Sequence, residues 1–170
     1  MSVESLFLRF SADKLKQFCD RIEVCVGKLS DEQIWARGGQ NENAVGNLVL
    51  HLTGNIRQWI VTSLGDNPGQ RDRDAEFNAR GGVGAGQMIS ALRDVVESAT
   101  QIISSLDTDR LTREYEIQNY RVSGVEVVYH VVEHFAEHTG QIIFATKMLT
   151  GSDMEFYRHL RSTGQTEQAP

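Results

Sequence analysis

Ser123 to Gly151 reads SGVEVVYHVVEHFAEHTGQIIFATKMLTG, and this stretch decides the fold. Ser123 followed three residues later by Glu126 is a capping box, in which each side chain satisfies a backbone N–H at a helix start. Gly151 supplies the stop, since only glycine enters the left-handed C′ conformation without strain. Stepping about 100° per residue places Val127, Val131, Ile142, Ala145 and Leu149 along one apolar stripe. The segment is therefore expected to be a long amphipathic helix that needs other helices to cover it.

Three more such helices lie upstream. The first spans about Ser2 to Lys28, with Leu6, Phe10, Leu15, Phe18, Ile22 and Val26 expected inward. After it, Ser30 with Gln33 forms a second capping box, Trp35 anchors the short turn, and Gly38-Gly39 breaks it. The second long helix is expected from an Asn43 cap. Its stripe is Val45, Leu48, Val49, Leu52, Ile56, Trp59 and Ile60. Residues 65 to 86 are polar and glycine-rich and read as a loop, longer than the usual connection. The third helix runs from about Gln87 to Leu106, with Met88, Leu92, Val95, Val96, Ile102 and Ile103 inward. Between 107 and 121 the pattern is irregular, with a short extended piece at Glu114 to Gln118. The reading is an all-α chain, a four-helix bundle with one long crossover loop. It is taken as a single domain over residues 1–161, followed by a loose polar tail at 162–170.

Composition limits the function. Net charge is -6 with no basic cluster, so a nucleic-acid backbone is excluded as a partner. No apolar run approaches the roughly 20 residues of a membrane span. The start of the chain lacks a signal-peptide pattern, which makes the cytoplasm the expected location. Cys19 and Cys25, six apart on one helix, face different directions, and a bridge between them is not expected. As reduced, buried thiols they suit a reducing compartment.

The chemistry is carried by histidine. Of five histidines, His130, His134 and His138 recur every fourth residue on one face of the last helix. His134 and His138 fall within the apolar stripe, and His130 towards its edge with Gln141. Unpaired buried imidazoles cost roughly 1 to 3 kcal/mol each, and a metal ion satisfies both at once. All three cannot converge on one ion, because they span about 12 Å of helix. His51, beside Asn55 on the second helix, supplies the third ligand, as bundles build metal sites from facing helices. His130 is then a neighbour or packing residue, and His159 lies beyond the bundle on the surface. The H-x-x-E-H pattern from His134 to His138 also fits inverted zinc proteases. That reading is rejected because only a short tail follows to supply a further carboxylate ligand.

The segments Asn43 to Leu52 and His130 to Ile142 resemble the DinB-like (YfiT-like) metalloenzymes, a likeness that extends over about Leu6 to Leu149. The resemblance implies an up-down-down-up bundle, often dimeric, with ligands at His51, His134 and His138 and one divalent metal ion, usually zinc or nickel. It further implies a thiol S-transferase or related enzyme acting on a small molecule with a low-molecular-weight thiol. In that reading Gln141 touches the metal's water or the substrate, and Glu133 or Glu137 orients a ligand imidazole. Arg57 and the loop arginines would hold substrate carboxylates. The alternative is a non-catalytic, metal-stabilised binding or stress-response module. A metal site closed by a fourth protein ligand would favour it.

Overall fold

Five of the described helices begin at a Ser or Asp whose side chain accepts from a free backbone N–H of the first turn. A computed structural model describes residues 2–160. Ser2 caps α1 (Val3–Val26), and Ser30 with Gln33 forms the expected box at α2 (Asp31–Ile34). Helix α3 (Val45–Ile56) continues as a π-helix over Arg57–Leu64. Then follow α4 (Arg73–Asn78), α5 (Ala85–Ser104) and α6 (Thr108–Thr112). The antiparallel hairpin β1 (Glu114–Ile117) and β2 (Tyr120–Ser123) leads into α7 (Gly124–Thr150). Ser123 and Glu126 make the reciprocal cap of α7, and Gly151 ends it at φ 65°.

Among the described residues the four long helices α1, α3 with its π extension, α5 and α7 form the bundle. Helix α1 packs on α5 and α7, and α3 packs on the same two. One continuous core joins them, centred on fully buried Leu15, Ile22, Leu52, Ile56, Leu92, Ile103, Phe135 and Ile142. The fold class is thus all-α, as the helical stripes imply.

Several particulars differ from expectation. The inward face of α1 is Leu8, Ala12, Leu15, Cys19, Ile22 and Val26, while Leu6 and Phe10 are exposed. The small residues Ala12 and Cys19 let α1 approach its neighbours closely, and Phe10 instead lies under the Lys14 ammonium. Asn43 does not cap α3. The cap position falls one residue later, at Ala44, whose N–H donates to Asn47 Oδ1 at 3.2 Å. On α7 the buried line is Val128, Val131, Phe135, Thr139, Ile142 and Thr146, so His134 and His138 flank it half-buried and Leu149 is exposed. The 65–86 segment is no plain loop, because it carries α4. The expected loose tail at 162–170 and the side chain of His159 lie outside the described residues.

Candidate metal centre

Helix α3 delivers His51, and α7 delivers His134 and His138 one turn apart. Their ligand nitrogens all lie within 4.8 Å of one another, so the three imidazoles can hold one metal ion. His51 Nε2 and His134 Nε2 are 2.9 Å apart, although the residues are separated by 83 positions. Two nitrogens bound at about 2.1 Å to one tetrahedral ion stand roughly 3.4 Å apart, so a small outward shift of the rings would admit the ion.

The second nitrogens set the tautomers. His51 Nδ1 lies 3.1 Å from Glu76 Oε2 and 3.0 Å from Arg71 Nη2, and His138 Nδ1 lies 2.8 Å from Gln141 Oε1; the two oxygens only accept, which favours the Nδ1–H tautomer in each ring. Both rings therefore present Nε2 as a lone pair, the form a metal requires. Without a metal, His134 Nε2–H can donate across to His51; a cation in that place would satisfy both nitrogens. The donor set of neutral imidazoles with anchored outer nitrogens fits a divalent ion. Among the described residues no fourth histidine, cysteine or carboxylate joins the cluster, which leaves one side open.

Burial is the main force that keeps His51 and His134 neutral. Burial lowers the His51 pKa, against the opposing pull of Glu76. His134 falls to about 3, through burial first and then the positive fields of His138, His51, His130 and Arg71. Glu76 stays ionised: burial raises its pKa, but hydrogen bonds from Arg71 and His51 outweigh that and hold it below the ordinary carboxylate value. Arg71 grips this carboxylate with Nε and Nη2, both at 2.8 Å, and reaches Gln58 with Nη1.

Glu76 sits on α4, inside the segment read as a loop, and α4 is fastened to the bundle by Asn47. Fully buried, Asn47 donates to the carbonyls of Glu76 at 2.8 Å and Ala79 at 3.0 Å, and accepts from Arg37 Nη2. Phe77 of α4 covers the His51 ring, with centroids 4.5 Å apart. Sequence reasoning missed Glu76. The available signal was Asp72, whose side chain accepts from Ala75 N–H and caps α4.

The other expected site residues distribute as follows. Glu133 and Glu137 are exposed, and the carboxylate that orients an imidazole is Glu76 instead. Gln141 is exposed and holds His138. Arg71 is spent on Glu76, Arg73 lies over Phe77, and Arg80 donates to backbone carbonyls, so these three are not free carboxylate binders. Arg57 is exposed beside a neighbouring cavity. His130 is not in the cluster; its ring lies tilted against Trp59 with centroids 4.2 Å apart and stacks on His134 at 5.5 Å. Cys19 and Cys25 are buried free thiols. Burial, with Asp20 nearby, pushes Cys19 up to about 11, and burial also raises Cys25, so neither is a ready nucleophile.

The family model described as "Protein of unknown function (DUF1572)" matches residues 2–160. The chain belongs to the DUF1572 family. Its fold is DinB-like. A conserved protein from Enterococcus faecalis superposes with a TM-score of 0.73 at 13% identity, over 89% of this chain and 99% of that one. The DinB-like protein YjoA of Bacillus subtilis gives 0.65 at 14% identity, over 86% and 96%. A DinB-like protein of Bacillus cereus ATCC 10987 gives 0.62 at 16% identity, over 78% and 85%. These identities speak for the shared fold alone. No curated protein matches the sequence. None of the described helices is long and apolar enough to cross a membrane.

Proposed function

We propose that this DUF1572 protein is a divalent-metal-dependent enzyme of the thiol S-transferase type, using His51, His134 and His138 as ligands. The observation that carries the reading is a cluster of three histidines with one open side. Structural metal sites are closed by four protein ligands, whereas catalytic ones keep a position for water or substrate. A zinc or nickel ion bound there would act as a Lewis acid and favour the thiolate form of a bound thiol. The chain's own residues supply the rest. Glu76 and Gln141 fix two ligand rings by their Nδ1 protons. Arg71 keeps Glu76 ionised, and Phe77 shields His51 from water. Partners of this kind are a small electrophile and a low-molecular-weight thiol, in a cytoplasmic setting that two free buried cysteines suit, with the chain as a homodimer.

Elemental analysis of untagged protein tests the centre. About one equivalent of metal, lost in His51→Ala and in His134→Ala, is expected. Metal-free protein even after reconstitution would remove the centre and the enzyme reading together. The thiol is tested separately with cobalt-substituted protein. A low-molecular-weight thiol taking the open side gives a sulfur-to-cobalt charge-transfer band, and the absence of any such band with several thiols would sink that part.

A further inference from the structure

Helix α7 turns an apolar line away from the core. Val125, Tyr129, Val132, Ala136, Gly140 and Ile143 recur at spacings of three and four, which keeps them along one side of a helix. Tyr129 is 60% exposed, and Phe144 and Met148 beside the line are 67% and 71% exposed. Helix α1 extends this face. It runs parallel to α7, since Phe18 lies against Phe135 and, further along both helices, Cys25 meets Thr146. Phe10, about two turns before Phe18, therefore comes level with Tyr129 and is 62% exposed. Aromatic side chains offer about 150 to 250 Å² each, so Phe10, Tyr129 and Phe144 alone leave roughly 400 Å² open. With the exposed parts of Val3, Val125 and Met148 the face reaches on the order of 700 Å², more than the roughly 300 to 600 Å² of the largest apolar patch on a typical monomer. Gly140 sits within it. A methyl group there would meet nothing in its own chain, and glycine weakens a helix interior, so no packing inside the subunit requires it.

We propose that two copies of the chain meet on this α1–α7 face, with their α7 helices antiparallel about a two-fold axis near Ala136. The proposal rests on the homodimer reading above, to which it gives a surface, and is independent of the metal. A stable interface buries about 800 Å² on each partner, and homodimer interfaces are about 65% apolar, so an apolar face on the order of 700 Å² suffices. Helix α7 is also complementary to its own reversed copy, as a two-fold contact demands. By residue count, an axis beside Ala136 brings Tyr129 level with the partner's Phe144, and Glu126 level with the partner's Lys147. The Lys147 ammonium lies 3.8 Å from Asp153 in its own chain and has three donors to share. A parallel pair would instead set Glu126, Glu133 and Glu137 against their own copies, which disfavours that orientation. Residues 161–170 contain no Val, Leu, Ile, Met or aromatic side chain, so that segment does not cover the face. The net charge of -6 opposes an anionic lipid surface as the occupant.

Sedimentation velocity at micromolar concentration tests the face. Wild type is expected to run as a dimer. Tyr129→Glu and Phe144→Glu each act twice across the axis and should weaken dimerisation by about a hundredfold. Both side chains are exposed in the subunit, so the helical circular dichroism of the resulting monomers should be retained. Cross-linking supplies a second measurement. Under oxidising conditions Ala136→Cys is expected to give a disulfide-linked dimer, because positions beside a two-fold axis come within the roughly 7 Å between Cα atoms that a bridge allows. Ser98→Cys, exposed on α5, should give none. A monomeric wild type would overturn this face and the homodimer together. A dimer untouched by both glutamates and not cross-linked at position 136 would overturn the face alone. A wild type that stays monomeric and floats with phosphatidylcholine vesicles would assign the face to lipid and overturn the proposal as well.

Discussion

Glu76 Oε2 accepts the Nδ1 proton of His51 at 3.1 Å, and this bond decides which nitrogen of His51 faces the other two imidazoles. The carboxylate is itself held by Arg71, so the ring is oriented by a pair rather than by one residue. Such outer partners fix the tautomer and raise ligand basicity, and their loss typically costs about 10- to 100-fold in metal affinity. Glu76→Gln keeps the shape and an acceptor oxygen but removes the charge. Its zinc affinity, measured by chelator competition, should fall within that range while the helical circular dichroism is retained. Unchanged affinity would mean that Glu76 serves only to hold Arg71.

Gly54 lies on α3 three residues after His51, and a methyl group there would overlap the Glu76 carboxylate and press on Arg71 Nε. Glycine is present because the carboxylate packs directly on the helix backbone. In an unconstrained helix Gly→Ala stabilises by roughly 0.5 to 1 kcal/mol. Here Gly54→Ala should weaken zinc binding as Glu76→Gln does, by about tenfold, with no gain in melting temperature. A raised melting temperature with full zinc affinity would show that the carboxylate can move aside freely.

The bundle was legible in the chain because its signals are local. Ser30 with Gln33, Ser123 with Glu126, and Gly151 announce helix ends by chemistry that needs no tertiary knowledge. Stripes such as Leu48, Leu52 and Ile56 do the same for the core. The pairing of His51 with His134 and His138 was legible for the same reason, since two predicted helices each exposed an imidazole near an apolar stripe. The supporting groups were not. Glu76 and Arg71 sit in a polar segment whose composition says loop, and α4 within it has no buried residue to produce periodicity. It is held by side chain to backbone bonds from Asn47, which no local pattern reveals. Phe10 fits the helical spacing of the stripe yet is exposed, whereas Ala12 and Cys19 line the contact face. The π-helix also escaped notice, since a change in backbone hydrogen bonding from four to five residues leaves Trp59 and Ile60 apolar either way.

Asn47 carries the tie between α4 and the bundle, so its removal should unsettle both stability and site. Asn47→Ala would strip the Ala44 N–H and the Glu76 carbonyl of their Asn47 partner, while the Ala79 carbonyl keeps its bond from Arg80. Exposing such groups without partners costs about 1 to 3 kcal/mol each where water cannot enter, and a net loss of about 3 kcal/mol is expected. For a chain of this size that lowers the melting temperature by roughly 6 to 12 °C. Zinc affinity should fall as well, since Glu76 would no longer be held against His51. Loss of stability with zinc affinity intact would separate the two roles.

Acidification should destabilise the zinc-free protein in a way that traces to His134. Its pKa is lowered to about 3 in the folded chain, by burial first and then by the neighbouring positive groups. In the unfolded chain it returns to about 6.5. Between these values the unfolded state binds more protons, so stability rises with pH across the window. The contribution is fully present above about pH 6.5 and is lost as pH falls towards 3. His51, lowered chiefly by burial, acts in the same direction. Melting temperatures of zinc-free wild type and His134→Leu, followed from neutral to acid pH, provide the check. Carboxylates are common to both proteins, so the difference between the curves isolates the imidazole. The wild type should fall more steeply below neutrality, and parallel curves would show that His134 titrates alike in the folded and unfolded chain.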